Sequence, residues 1–531
     1  MLGFKILLVT VLCIFSFFET IDLVPIDDNE NFDFDEYWDY KLTPHNLPLL
    51  KSSRETHLLS AVYQFEEDLT VSSLNNEEEL SNNRLPKKIH DVIRNKIPCG
   101  VCKLGIGLLR SHLNNGDSME EIRTKVIQLC VSLKIESEKV CAGFFDVFGP
   151  ELVPAFNTSV LDSSQTCMMV FGESCPSVSN ELHEWSIDIP TNELNVEESQ
   201  TKRRNVEVPV LKVLHLSDTH LDLDYLEGSP ANCDEPLCCR NYSTPSSTEP
   251  LVSAGRWGSY NKCDSPKILI EHMLNHIALE HPDIDYIIWT GDLPPHDIWN
   301  QTKEGNLKII QECVEQMFLF FPTTPIFPAV GNHESVPAGH IPPGSSDCLK
   351  AWSRNFYSIV DRYKDIVRAQ FYGHSHADEF ELFYETENYS KPINVAYLGP
   401  SITTYENHNP AYRIYYIEGD FSHSNRDVLD HETWTTDLEH ANKGHNEPVW
   451  YKSYSARDTY GMQSLAPEEW NKLIDKMAAS DDCFDLFYRH YYRHSPTRPS
   501  CDTECKVQIL CDLKTGKSQD RKHMCGELQY V

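Results

Sequence analysis

Four short apolar runs that each break off at a polar tip constrain this chain most: VLKVLHLSDTH (210–220), IDYIIWTGD (284–292), PIFPAVGNH (325–333) and RAQFYGHSH (368–376). Runs of this length, bounded by turn residues, read as buried strands. Between the first two lies DSPKILIEHMLNHIALEH, with Ser265 and Pro266 at its start and Leu269, Met273 and Ile277 at helical spacing. VAYLGPSITT (395–404) adds a further strand. An α/β sheet of this kind keeps its site at the carboxyl ends of the strands, where these tips stand.

In order, the tips are Asp218-x-His220, Gly291-Asp292, Gly331-Asn332-His333, Gly339-His340 and Gly373-His374-x-His376. They offer carboxylate, amide oxygen and imidazole and no thiolate, a donor set suited to zinc, manganese or iron. Glycine ahead of a ligand permits the tight turn that aims the next side chain across the strand ends. An isolated histidine among the 23 present is ordinarily a surface or core residue, but five such blocks in sequence are a pattern.

The set resembles the calcineurin-like metallophosphoesterase signature, and the neighbouring GDLPPHDIW, GNHES, GHIPPG, HADEFELFY and SITTY resemble the acid sphingomyelinase family. The resemblance implies an α/β sandwich holding two zinc ions per chain. Asp218, His220, Asp292 and His376 would hold one, and Asp292, Asn332, His340 and His374 the other. It also implies hydrolysis of sphingomyelin to ceramide and phosphocholine, chemistry in which paired cations neutralise phosphoryl oxygens and activate water. His333 and His296 sit beside ligand tips without completing either set, so they are expected to be the general acid and its helper; orienting the ligands is the other role open to them. Tyr405 in SITTY is the candidate wall for the choline headgroup, with plain packing as its alternative.

The rest of the chain reads as a multidomain α+β protein. Residues 1–20 place Lys5 before an apolar run from Ile6 to Phe18, the pattern of a signal peptide. No later run reaches the ~18 apolar residues of a membrane span, so no transmembrane anchor is expected. Residues 21–92 are acidic and aperiodic, a flexible pro-segment. Residues 93–180 carry Cys99, Cys102, Cys130, Cys141, Cys167 and Cys175 among short amphipathic helices, one with Met119, Ile122, Val126 and Leu129 on a face. Spacing leaves fifteen pairings open, and CxxC alone fits redox or zinc chemistry equally. The gaps resemble the saposin B-type domain, which implies Cys99–Cys175, Cys102–Cys167 and Cys130–Cys141 and a lipid-engaging surface. A linker (181–207), the metallophosphoesterase domain (208–445) and a helical C-terminal subdomain (446–531) follow.

The family resemblance further implies Cys233–Cys238, Cys239–Cys263, Cys501–Cys505 and Cys511–Cys525. Cys313 lies on an apolar helix face and is expected to be a buried thiol; Cys348 and Cys483 are unassigned. Sequons at Asn157, Asn241, Asn300 and Asn388 fit an oxidising, glycosylating route to a secreted or lysosomal location. The net charge of −34 argues against nucleic acid. The expected partner is a sphingomyelin-containing membrane surface.

One stretch departs from the family. In GNHESVPAGHIPPG only ESVPAG separates His333 of the Asn332-His333 block from His340, where the family has a long segment that delivers its histidine from a strand. A domain-core segment is therefore expected to be missing between Glu334 and Gly339. Two rival readings stand: a phosphodiesterase acting on nucleotides or another phospholipid, and a catalytically impaired lipid-binding variant.

Overall fold

The computed structural model describes residues 97–171 except 133, 184–189, 209–339 except 247–249, 350–517 except 388, 423 and 445, and 521–526 with 528. The expected signal peptide, the acidic segment, Cys175, His340, Cys348, Asn388 and most of the expected linker lie outside them.

Four helices come first: α1 (Ile97–Asn115), α2 (Met119–Ser132), α3 (Glu138–Thr158) and α4 (Ser163–Phe171). Ser137 caps α3 by accepting the Val140 N–H at 3.3 Å. Cys102–Cys167 ties α1 to α4 and Cys130–Cys141 ties α2 to α3, and Cys99 is disulfide-bonded as well. On α2 the buried face is Ile122, Ile127 and Cys130. Met119, at the first position of the helix, faces solvent, so the apolar stripe begins one turn later than its spacing predicts. The core of this helical part is shared: Phe144, Phe148 and Leu152 of α3 are buried in one cluster with Leu237, Ile298 and Trp299. Gly143 marks the closest approach, since a Cβ there would lie 2.4 Å from the Trp299 carbonyl oxygen.

The larger body contains two sheets. One has six strands in the order β3-β2-β1-β7-β8-β9, formed by β1 (Val210–Leu216), β2 (Tyr286–Trp289), β3 (Ile326–Pro328), β7 (Ala411–Glu418), β8 (Val428–Thr435) and β9 (Tyr451–Ser455). The other has the order β4-β6-β5, from β4 (Gln370–Tyr372), β5 (Glu379–Tyr384) and β6 (Pro392–Leu398). Strand β1 runs parallel to β2 and antiparallel to β7. Side chains alternate across the sheet. Val213, Tyr415 and Ile417 pack toward the smaller sheet, whereas Leu214, Leu216, Tyr412 and Ile414 pack on α5 (Lys267–Glu280) and α6 (Lys303–Phe320). Helix α7 (Lys350–Arg362) precedes β4, and Cys313 of α6 is buried and free.

The last segment contributes β9 to the large sheet before turning helical as α8 (Pro467–Ala479), α9 (Asp481–Tyr491) and α10 (Thr503–Leu513). YKSYS is too short and polar to advertise a strand, which is why helix alone was legible there. All four expected disulfides of this body form: Cys233–Cys238, Cys239–Cys263, Cys501–Cys505 and Cys511–Cys525. Cys483 is free and half-buried. Strand β3 is the anomaly. A strand of a parallel arrangement is normally covered on both faces, yet among the described residues β3 is a three-residue edge with Phe327 60 % exposed, followed two residues beyond its end by Val330 at 82 %.

Candidate metal centre and active site

Asp218 and His220 follow β1, Asp292 follows β2, Asn332 and His333 follow β3, and His374 and His376 follow β4. Strand ends from both sheets thus converge their side chains. Ligand atoms of Asp218, His220 and Asp292 lie within 4.8 Å of one another, and so do those of His220, His296 and His376. The local backbone is unusual. Asp218, His220, Asp292, His374 and His376 all have φ between 42° and 78°, the left-handed region. Each costs a residue with a Cβ about 1–3 kcal/mol and persists only where surroundings over-determine it.

Those surroundings are specific. Glu334 accepts the backbone N–H groups of Leu293 at 2.6 Å, Gly331 at 2.5 Å and Asp292 at 3.2 Å, fixing the β2 and β3 tips to each other. Asp292 Oδ1 accepts the His333 N–H at 2.8 Å, and Asp218 Oδ1 accepts the His374 N–H at 2.7 Å. His220 Nδ1 meets the Pro294 carbonyl at 2.8 Å, which assigns the proton to Nδ1 and leaves Nε2 as a donor atom for a cation. That Nε2 stands 3.2 Å from His376 Nε2.

Electrostatics point the same way. Burial, and then the neighbouring Asp292 charge, push the Asp218 carboxyl up to about 7. Burial also drives the His220 imidazole well below its usual range, with the nearby imidazoles adding to the effect. For Asp292 burial opposes ionisation, but the contacts from His374 and the surrounding imidazoles outweigh it and hold the carboxyl low. Two buried carboxylates, with the His220 and His376 imidazoles held neutral by burial, form a clustered donor set that a divalent cation satisfies, so the residues present fit the metal ions expected of them.

His333 is 2 % exposed, with Nδ1 3.3 Å from the Pro295 carbonyl. His296 is held more firmly. Asp264, fully buried, accepts both the His296 backbone N–H and a bond to Nδ1, each at 2.8 Å, and also the Thr403 hydroxyl at 3.0 Å. The His296 ring stacks on Tyr405 at 4.1 Å and 7°, and lies 4.0 Å from the His220 ring. Tyr405 is therefore beside the site with one face on His296 and its hydroxyl donating to Pro236 O at 3.0 Å.

Asn332 donates through Nδ2 to the Gly339 carbonyl, and the Gly339 N–H returns to Asn332 O at 2.9 Å. The short loop thus closes on itself and brings Gly339 against Asn332. His340, the next residue, lies outside the described residues. Asp264 and Glu334 were not legible as site residues: Asp264 stands just before the Ser265-Pro266 helix start and reads as part of a cap, and Glu334 signals its role only through the GNHE block.

A profile of the calcineurin-like phosphoesterase family matches residues 211–473, from β1 through α8. A sphingomyelin phosphodiesterase of Bos taurus is 32 % identical, covering 81 % of this chain and 84 % of the bovine protein. Sphingomyelin phosphodiesterase 1 of Caenorhabditis elegans is 31 % identical over 71 % of this chain and 84 % of its own length. Sphingomyelin phosphodiesterase B of Dictyostelium discoideum is 28 % identical over 79 % and 81 %. With the strand-end donor set and these long matches together, the chain belongs to the sphingomyelin phosphodiesterase family of calcineurin-like phosphoesterases.

Proposed function

We propose that this chain is a zinc-dependent hydrolase that cleaves sphingomyelin to ceramide and phosphocholine at a membrane surface. The observation that carries the reading is the convergence of Asp218, His220, Asp292 and His376 at buried strand ends with two further imidazoles, His333 and His296, beside them. Asp218, His220, Asp292 and His376 would hold one zinc ion, and Asp292, Asn332, His340 and His374 the second. When bound, the pair supplies charge neutralisation at the phosphoryl oxygens and an activated water. The protein's own residues do the rest. His333 donates a proton to the departing ceramide oxygen. Asp264 fixes the tautomer of His296, whose ring lies beside those of His220 and His376 and assists that transfer. Tyr405 backs His296 and borders the place of the choline group.

The disulfide-stapled helices α1–α4 support a saposin B-type domain, with Cys99 paired to Cys175 and a surface that engages the bilayer. Among the described residues no helix is long and apolar enough to cross a membrane. Asn157, Asn241 and Asn300 are exposed, which supports glycosylation at those sequons on a secreted or lysosomal route. The bare edge at β3 supports a missing core segment between Glu334 and Gly339.

The test is phosphocholine release from sphingomyelin vesicles, with bound zinc measured on the same preparations, for this chain and for a version carrying a relative's segment between Glu334 and Gly339. Zinc bound without release by either form would defeat the substrate assignment. Absence of zinc in both would defeat the metal centre.

A further inference from the structure

We infer that Arg493, from the C-terminal helical segment, is a positioning residue of the metal centre: its guanidinium clamps the backbone of His376 and joins the C-terminal subdomain to the ligand loop. Arg493 follows α9 and is completely buried. Its Nη1 donates to the His376 carbonyl, its Nη2 to Ser401 Oγ at 2.9 Å, and its Nε to the Asn409 carbonyl at 2.8 Å. His376 lies on the loop between β4 and β5, and Ser401 and Asn409 at the two ends of the loop between β6 and β7, so one side chain stitches two connections together.

Two features separate this from ordinary packing. The acceptors are all neutral, and a buried cation without a bonded carboxylate is an expensive choice for stability alone. Moreover, Arg493 and His494 themselves adopt φ of 47° and 60°, and His376 stands at 62°. Two left-handed turns from different parts of the chain therefore brace each other through this bond. The Ser401 N–H adds a second bond to the His376 carbonyl at 3.3 Å, and Thr403 N–H reaches Asp218 O at 3.1 Å, carrying the brace to the β1 tip. The carbonyl of a ligand residue in a strained conformation is the lever by which its imidazole is aimed.

The inference rests on His376 being a metal ligand, and the test separates the two. Zinc affinity is measured by chelator competition on full-length wild type, Arg493→Lys, Arg493→Met and Ser401→Ala, with thermal unfolding recorded in excess chelator. Met477→Ala, which opens the core of α8 far in sequence from the ligand loops, serves as the control for stability loss alone. We expect zinc affinity to fall about 10–100-fold in both Arg493 variants, by a few-fold in Ser401→Ala, and not in Met477→Ala. Arg493→Lys should recover part of the loss relative to Arg493→Met. Unchanged affinity in the Arg493 variants, or an equal fall in Met477→Ala, would overturn the inference. Should the Arg493 variants fail to fold, unchanged affinity in Ser401→Ala would overturn it. A wild type without zinc affinity would overturn the ligand reading and this inference with it.

Discussion

The shared core between the helical part and the catalytic body can be probed with a pair of identical substitutions that should have opposite signs. Gly107 and Gly143 both lie inside helices, α1 and α3. A Cβ on Gly107 meets nothing within 4 Å, whereas one on Gly143 would sit 2.4 Å from the Trp299 carbonyl oxygen and 3.3 Å from the indole Cδ1. Each change gains about 0.5–1 kcal/mol of helix propensity. At Gly143 the gain is outweighed. Restoring a non-bonded distance of about 3.5 Å demands that α3 retreat by roughly 1 Å, and a gap of that size forfeits a quarter to a half of each dispersion contact across the interface. Overpacking of this kind costs about 1–3 kcal/mol, and Phe144, Phe148 and Leu152 share the displaced cluster with Ile298 and Trp299. Gly143→Ala should therefore lower the unfolding midpoint by a few degrees and accelerate proteolytic cleavage in 181–207, while Gly107→Ala raises the midpoint slightly. Calorimetry and limited proteolysis read both. Equal shifts of the same sign would refute the close docking of α3 on Trp299.

Three further outcomes are expected. On the proposed ligand sets, each of which uses its carboxylate, Asp292→Ala should abolish binding of both zinc ions, whereas His333→Ala should keep them and lose about 10²–10⁴-fold in turnover; metal analysis beside single-turnover kinetics decides. Burial pushes the Glu136 carboxyl up to about 7 from an unfolded value near 4.5, so the native state holds its proton more tightly: the burden is absent below about pH 4.5 and is fully present above pH 7. Glu136→Gln should accordingly raise the unfolding midpoint at pH 7.5 and leave it unchanged at pH 4.5. Restoring a relative's segment between Glu334 and Gly339 should improve secretion and phosphocholine release together, since it would cover the exposed Phe327 and Val330; matching values for the two forms would show the segment dispensable.

Much of this architecture was written in local pattern. VLKVLHL and YIIW carry their own strand signal, and the polar tips beyond them name Asp218, His220 and Asp292 without further help. The six described disulfides followed from resemblance and not from spacing, which left pairings open. What stayed hidden depends on contacts distant in sequence. Asp264 is a site residue only because His296, 32 positions later, folds onto it. Arg493 lies in FDLFYRHYYR, which reads as one more amphipathic helix, and nothing in that string announces a carbonyl 117 residues away. The left-handed backbone of the ligands was equally silent, because none of those residues is glycine; tertiary bonds hold it, not intrinsic preference.

The two halves of the proposed metal centre are unequally braced, and this has a measurable consequence. Asp218, His220 and His376 are at most 6 % exposed and are tied down by Ser217, Pro294 and Arg493. On the other side His374 has a side chain 41 % exposed, and Asn332 is half-buried on a loop that departs from the bare edge strand β3. A metal site binds tightly only when its ligands are held to within about half an ångström by packed elements. Zinc should therefore load this chain in two separated steps, a tight one at Asp218, His220, Asp292 and His376 and a weaker one at Asn332, His340 and His374, with constants at least about tenfold apart. Inserting a relative's segment between Glu334 and Gly339 should draw the second step toward the first while leaving the first in place. Stoichiometric titration against a chelator of known affinity reads both steps. Two equal steps in the unmodified chain would show that the edge at β3 places no penalty on Asn332 and His340.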